Sequence, residues 1–194
     1  MRDSQGHFCG GTLIGNDVVV TAAHCIGGGD PTNIAIGDDN RFRGERFDVK
    51  SRLIHPKYDD AKDSYDIALV FLEESARSLN IAMPKLNRDS SFPSAGRKAI
   101  TMGWGNTNPN GGGLPTDLLA VELDVISNSE CEAASRGGYS YSGYVYDSMI
   151  CTETTDKDAC QGDSGKTHHC VGLNRKHLAS PLVQNAFFTI GIMF

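Results

Sequence analysis

One serine in the last third of the chain has the neighbours that nucleophilic catalysis requires. Ser164 lies in segment 158–165, which also contains Gly162 and Gly165 and two carboxylates. A serine hydroxyl is a weak nucleophile by itself, so it needs a base elsewhere and backbone donors around it. Glycines on both sides allow a tight turn that brings main-chain N–H groups towards a ligand. The same composition is also typical of a plain surface turn, so the segment alone does not decide.

Two upstream residues are candidates for the base and for the group that orients it. His24 follows the β-branched run 18–21, which predicts a strand, and it stands beside Cys25. Asp66 opens the almost wholly apolar run 66–72, which predicts a buried strand whose carboxylate needs partners. His24 could equally be an ordinary surface or core histidine, and Asp66 an ordinary strand-end residue.

The elements around these residues predict an all-β chain. Asn16 and Asp17 indicate a turn between two short strands, and Cys9 and Cys25 flank that hairpin, so a disulfide could join its ends. The 22 glycines suit a turn-rich β protein of 194 residues, which forms one domain. Apolar patterning predicts further strands at 34–36, 47–54, 98–102, 118–126 and 149–152, and a short helix at 128–135.

Composition excludes several classes of function. A net charge of −6 argues against nucleic-acid binding, which needs a basic surface. The longest apolar stretch is too short to span a bilayer, so we expect no membrane segment, and the N-terminal residues lack the apolar core of a signal peptide. Six cysteines, an even number without Cys-x-x-Cys spacing, favour disulfides in an oxidising compartment over a zinc site.

Five motifs in one order resemble the trypsin-like serine proteases of the chymotrypsin fold. They are Cys-Gly-Gly-Thr-Leu-Ile, Val-Thr-Ala-Ala-His-Cys, Asp-Ile-Ala-Leu-Val, Met-Gly-Trp-Gly and Asp-Ala-Cys-Gln-Gly-Asp-Ser-Gly, and together they extend over residues 9–165. The resemblance implies two packed, six-stranded antiparallel β-barrels with an active site in the cleft between them. It also implies a serine endopeptidase that cleaves after Lys or Arg through an acyl-enzyme.

The resemblance assigns a role to each candidate residue. Ser164 would be the nucleophile, His24 the general base and acid, and Asp66 the residue that holds the imidazole in the right tautomer. The backbone N–H groups of Gly162 and Ser164 would form the oxyanion hole. Asp158, six residues before Ser164, would form the floor of the specificity pocket and bind a cationic side chain.

The resemblance also implies disulfides and partners. The pairs Cys9–Cys25 and Cys131–Cys151 match the family, and Cys160 has Cys170 as its obvious substitute partner. We expect no cofactor, with calcium near Asp38, Asn40 and Glu45 as an alternative. The partners would be polypeptide substrates and protein protease inhibitors, for a monomer located outside the cell.

The chain departs from the family pattern at both ends. No Ile-Val-Gly-Gly segment precedes Cys9, so Asp163 would lack the N-terminal amine that completes the oxyanion hole. After Gly165 the family's Gly-Pro and Ser-Trp-Gly motifs are missing, and the pocket wall with them. The dipeptide Gly165-Lys166 can be encoded by GGT-AAG, which contains a splice-donor pattern, so one hypothesis is that residues 166–194 come from an incorrect gene model.

These observations divide a single peptidase domain, residues 1–194, into four parts. We expect a first barrel at 1–83, a connection at 84–97, an incomplete second barrel at 98–165, and a tail without family resemblance at 166–194. Two other functions stay open. One is a catalytically impaired protease homologue that acts as a binding module. The other is an adhesive or structural β-domain, which would not need His24, Asp66 and Ser164 together.

Overall fold

The computed structural model describes residues 1–3, 6–27, 31–106, 113–136 and 139–153. Within these residues the chain is built of short strands with two short helices and one 3₁₀ turn, so the all-β prediction is confirmed. The strands are β1 (Arg2–Asp3), β2 (Gly6–His7), β3 (Thr12–Gly15), β4 (Val18–Thr21), β5 (Asn33–Ile36), β6 (Glu45–Ile54), β7 (Ala68–Leu72), β8 (Lys98–Gly103), β9 (Leu119–Ile126), β10 (Ser135–Arg136), β11 (Tyr139–Ser140) and β12 (Cys151–Glu153). The helices are α1 (His24–Gly27) and α2 (Asn128–Ala133), and the 3₁₀ turn is Ala76–Leu79.

The first half of the chain forms one curled antiparallel sheet. Its strand order is β2-β1-β5-β6-β7-β4-β3, and the long strand β6 pairs with β5 along its first part and with β7 along its second. The register shifts between Val49 and Ser51, directly after β6 passes from β5 to β7. Such an irregularity bends a strand and increases its twist, which allows the sheet to curl around a core.

The core of this half contains the apolar side chains of one face of the sheet. Val19, Phe47, Val70 and Leu72 are buried in one cluster. β7 alternates buried and half-buried residues, although its composition predicted a strand buried along its whole length. Full burial of one such side chain contributes about 1.5–3 kcal/mol. β7 lies between β4 and β6, and therefore connects the core rigidly to the segment that carries Asp66.

The second half contributes a smaller antiparallel sheet in the order β12-β9-β8. The sequence alternation predicts that Leu119, Val121, Leu123 and Val125 share one face of β9. Three of these side chains are buried and Val121 is half-buried, while Glu122 is exposed. The helix α2 begins with a capping box, because Ser127 accepts from the Glu130 N–H and the Glu130 carboxylate accepts from the Ser127 N–H. With three strands in this sheet, the second barrel is partial within the described residues.

Several contacts join the two halves at one place. The Trp104 Nε1–H donates to the Asp39 carbonyl at 2.8 Å, and the Leu118 N–H donates to the same oxygen at 2.8 Å. Asn40 forms an isolated β-bridge with Asp117, and the Arg41 N–H donates to the Thr116 carbonyl at 2.9 Å. The loop after β5 therefore connects the first sheet to the residues around β8 and β9.

Two predicted disulfides are confirmed. Cys9 pairs with Cys25, and Cys131 pairs with Cys151. The first joins the chain before β3 to α1, and the second joins α2 to β12. The predicted strand at 149–152 is found two residues later, at β12. Of the helices in the described part of the chain, none is both long and apolar enough to cross a membrane.

Candidate active site

His24 is positioned by the end of a buried strand and by a disulfide. β4 ends at Thr21, whose hydroxyl donates to the Gly10 carbonyl at 2.9 Å, and the single-turn helix α1 begins at His24. The next residue, Cys25, is buried and bonded to Cys9. The backbone on both sides of His24 is therefore fixed by contacts that do not involve its imidazole.

The Asp66 carboxylate contacts His24 with both of its oxygens. Oδ2 lies 2.6 Å from the imidazole Nδ1, and Oδ1 accepts the His24 backbone N–H at 2.9 Å. The two side chains are only 16% and 13% exposed, so little water competes for this contact. Two acceptor atoms on one rigid group fix the direction of the carboxylate as well as its distance from the ring.

This geometry determines which imidazole nitrogen is free to accept a proton. An ionised carboxylate accepts hydrogen bonds and cannot donate them. Nδ1 therefore carries the hydrogen, and Nε2 of the neutral ring keeps its lone pair. Cys25 Sγ lies 3.4 Å from Nε2, but it belongs to a disulfide and has no hydrogen to donate. Nε2 can therefore act as a general base towards a hydroxyl that comes within hydrogen-bonding distance of it.

The same neighbourhood contains a group of potential metal ligands. Cys9, His24 and Cys25 have ligand atoms within 4.8 Å of one another, the one such group of His, Cys, Asp and Glu in the described part of the chain. Metal binding by cysteine requires a thiolate. Both sulfurs here are joined to each other in the disulfide, so these three residues do not form a metal site.

The loop at 55–66 connects β6 to Asp66 and carries several charges. The sequence predicted Asp59, Asp60 and Asp63 as a solvated face, and all three are at least partly exposed. Desolvation raises the pKa of Tyr58, and its hydrogen bond to Asp60 and the nearby charge on Asp66 raise it further. The Tyr58 phenol therefore stays protonated at neutral pH beside the Asp66 carboxylate.

Sequence reasoning missed the contact between two residues of this loop, His55 and Tyr65. Asp66 does not lie on β7 but two residues before it, and the ring of the preceding residue, Tyr65, stacks on His55. The available signal was the His-Pro pair at 55–56 together with an aromatic residue directly before Asp66. Neither feature predicts the pairing, because the two rings are ten positions apart in the sequence.

The residues named for calcium have other contacts in this structure. The Asp38 Oδ1 accepts the Asn40 N–H at 2.7 Å, and the Asn40 Oδ1 accepts the Phe42 N–H at 3.1 Å. Glu45 begins β6 and is exposed. Asp38 and Asn40 therefore use side-chain oxygens to stabilise the turn that contacts the second half of the chain.

The remaining predicted site residues lie outside the described residues. They are Asp158, Gly162, Asp163 and Ser164, together with the cysteine pair Cys160 and Cys170. Their roles and their pairing stay predictions. The structure brings His24 and Asp66 together, and it confirms the disulfide that fixes the backbone beside them.

Comparison with known proteins gives one consistent result. The family model described as Trypsin matches residues 1–175, ten residues beyond Gly165. The chain is 35% identical over 162 residues to "Trypsin epsilon" of Drosophila erecta, covering 82% of this chain and 62% of that protein. It is 37% identical over 172 residues to "Anionic trypsin" of Bos taurus, covering 86% and 66% respectively.

A solved structure of a serine protease is also similar to this chain. The chain is similar to neuropsin, described as a serine protease expressed in the limbic system of mouse brain, with a TM-score of 0.71 and 30% sequence identity. That match covers 81% of this chain and 70% of the neuropsin chain. The chain spans about two thirds of the length of the curated relatives.

Proposed function

Because the chain belongs to the trypsin family of serine proteases, we propose that it hydrolyses peptide bonds through Ser164, His24 and Asp66. The observation that carries this proposal is the Asp66 carboxylate, which contacts both Nδ1 and the backbone N–H of His24. An aspartate in this position keeps the hydrogen on Nδ1, so that Nε2 is free to act as the base.

In the proposed first step the Ser164 hydroxyl attacks the carbonyl carbon of the substrate and gives its proton to His24 Nε2. The Asp66 carboxylate stabilises the imidazolium that results, because a negative charge at 2.6 Å favours the charged ring. The C–N bond then breaks as Nε2 returns the proton to the leaving amine, which leaves an acyl group on the Ser164 oxygen.

In the second step a water molecule attacks the acyl carbon and gives a proton to the same nitrogen. Breaking the ester bond returns that proton to Ser164 and releases the carboxylic acid product. In both steps the backbone N–H groups of Gly162 and Ser164 would stabilise the oxyanion. One such donor typically contributes about 10²–10³ in rate.

The proposed specificity is for Lys or Arg on the acyl side of the cleaved bond. Asp158 stands six residues before Ser164, and a desolvated carboxylate there would pair with a cation and disfavour apolar side chains. The substrates would be polypeptides, and the chemistry needs no cofactor. Protein protease inhibitors would bind the same cleft.

We further propose an extracellular location and a monomeric state. Two disulfides among the described residues favour an oxidising compartment, which agrees with export from the cytosol. The net charge of −6 disfavours nucleic acid as a partner.

A fluorophosphonate probe tests the catalytic proposal, because it forms a covalent bond with a serine only when a base activates it. We expect labelling of the intact chain at one site, and its loss in both Ser164→Ala and His24→Ala. Circular dichroism of each variant checks that the fold is retained. If a folded chain is not labelled, or is labelled equally in Ser164→Ala, the proposed activity is wrong.

Peptide substrates test the specificity separately. Matched peptides should carry Arg, Lys or Leu before the cleaved bond and be otherwise identical. We expect cleavage of the Arg and Lys peptides. Asp158→Ser should lower kcat/KM for the Arg peptide while labelling of Ser164 is retained. Equal cleavage of the Leu peptide would refute the role of Asp158.

A further inference from the structure

Tyr65, which directly precedes Asp66, has an unusual backbone conformation. Its φ is +53°, in the left-handed region that aromatic residues rarely adopt. Asp63, two positions earlier, has a φ of +50°. A non-glycine residue keeps such a conformation when the surrounding contacts impose it. The contacts of Tyr65 therefore impose its conformation.

The Tyr65 ring is contacted by two residues of the same loop. It stacks on His55 with ring centroids 5.0 Å apart and planes 6° from parallel, and the Lys57 Nζ lies 5.3 Å from its centroid. The His55 ring is itself fixed, because its Nδ1 accepts the Lys57 N–H at 3.1 Å. We call His55, Lys57 and Tyr65 the aromatic clamp.

A contact from the second half of the chain adds to the clamp. The Tyr65 N–H points to the Ser148 Oγ at 3.4 Å, and Ser148 lies 83 residues further along the chain. A backbone group that precedes Asp66 is therefore held from both halves of the molecule.

The backbone next to the clamp forms a tight turn at Asp66. The Ile67 N–H donates to the Tyr65 carbonyl at 2.7 Å, which places Asp66 at the centre of a three-residue turn. The His55 N–H donates to the Ile67 carbonyl at 3.0 Å, so both ends of the loop meet beside this turn. A tight turn leaves the Asp66 carboxylate little freedom to rotate away from His24.

We propose that Tyr65 and His55 are positioning residues that direct the Asp66 carboxylate towards His24. This inference rests on the proposed function, because the position of Asp66 matters for a rate only if His24 is the base. Tyr65 is 41% exposed, so its ring adds little to the buried core. Loss of the ring should therefore disturb the His24–Asp66 pair more than it disturbs the fold.

The experiment compares Tyr65→Gly with Tyr65→Phe. Glycine adopts a positive φ freely, so Tyr65→Gly removes the ring without adding backbone strain, while phenylalanine keeps the stacked ring. Leu86→Ala is the control, since Leu86 is 54% exposed in the connection between the halves. His55→Leu removes the other ring of the pair, and thermal unfolding measures the stability of each variant.

The first readout is catalytic. We expect Tyr65→Gly and His55→Leu to lower kcat and the rate of fluorophosphonate labelling about 10- to 100-fold, as small misplacements of catalytic groups do. KM should change little, because neither ring is proposed to bind substrate. Tyr65→Phe and Leu86→Ala should keep the rate of the unaltered chain. Equal rates in Tyr65→Gly and Tyr65→Phe would overturn the proposal.

The second readout does not require activity. Proton NMR detects the His24 Nδ1 hydrogen while the Asp66 hydrogen bond protects it from exchange with water. That resonance should be lost or exchange faster in Tyr65→Gly, and it should be retained in Tyr65→Phe. If the chain proves inactive, this comparison still decides the role of Tyr65. An unchanged resonance in Tyr65→Gly would overturn it.

Discussion

The two disulfides close loops of similar length, and this allows a quantitative prediction about stability. Cys9 and Cys25 are 16 positions apart, and Cys131 and Cys151 are 20 apart. The chain-entropy relation gives about 3.1 kcal/mol for the first cross-link and about 3.3 kcal/mol for the second at 25 °C. Each value is a large part of the 5–15 kcal/mol that is typical of a domain.

The double variant Cys9→Ala/Cys25→Ala removes the first disulfide, and Cys131→Ala/Cys151→Ala removes the second for comparison. All four cysteines are buried, so the sulfur atoms removed leave comparable spaces in both variants. We expect each variant to lose about 3 kcal/mol of unfolding free energy. The difference between them should be about 0.2 kcal/mol, because loop entropy depends only on the logarithm of loop length.

Urea unfolding followed by circular dichroism measures both losses, with the unaltered chain as the reference. The slope of free energy against urea should rise in the variants, since an uncrosslinked unfolded chain exposes more surface. A difference above about 1 kcal/mol between the two variants would refute the entropic reasoning, because the closure entropies of loops so similar in length differ by much less. A loss below about 1 kcal/mol in both would refute it equally.

Three further predictions concern the site, a helix terminus and the core. Asp66→Asn should lower the labelling rate of Ser164 about 10⁴-fold without unfolding the chain, because an amide can stabilise the wrong tautomer of His24. The Ser127 hydroxyl and N–H lower the pKa of Glu130, so the capping contribution is full above the unfolded pKa and is lost as pH falls through the folded one; the destabilisation by Ser127→Ala, measured by urea unfolding at pH 7, should therefore shrink in acid. Leu72→Ala should lower the free energy of unfolding, measured in urea, by about 2–5 kcal/mol, and Leu86→Ala should lower it by less than about 0.5 kcal/mol.

The parts of the fold that the sequence predicts are those with local signals. The run 18–21 predicts β4 because β-branched residues favour strands, and Asn16-Asp17 predicts the turn before it. The helix α2, predicted at 128–135, is found at Asn128–Ala133, where the local capping box of Ser127 and Glu130 stabilises its start. Each of these elements depends on residues within a few positions of one another.

The parts that the sequence does not predict depend on residues far apart in the chain. Asp66 was expected to open a buried strand, but it lies two residues before β7 and directly follows Tyr65, which contacts His55 and Ser148. Periodicity contains no information about a stacked pair or about a left-handed residue, because both result from tertiary contacts. The His24–Asp66 pair itself came from family resemblance, since 42 positions separate the two residues.

Trp104 has a practical consequence for the study of this chain in solution. It is the single tryptophan of the sequence, and its indole N–H is bonded to the Asp39 carbonyl, across the contact between the two halves. Its indole ring also lies 6.0 Å from the His7 ring, in an edge arrangement. Its fluorescence emission spectrum therefore reports whether the two halves are in contact. Separation of the halves should shift this emission to longer wavelength before the strands themselves melt.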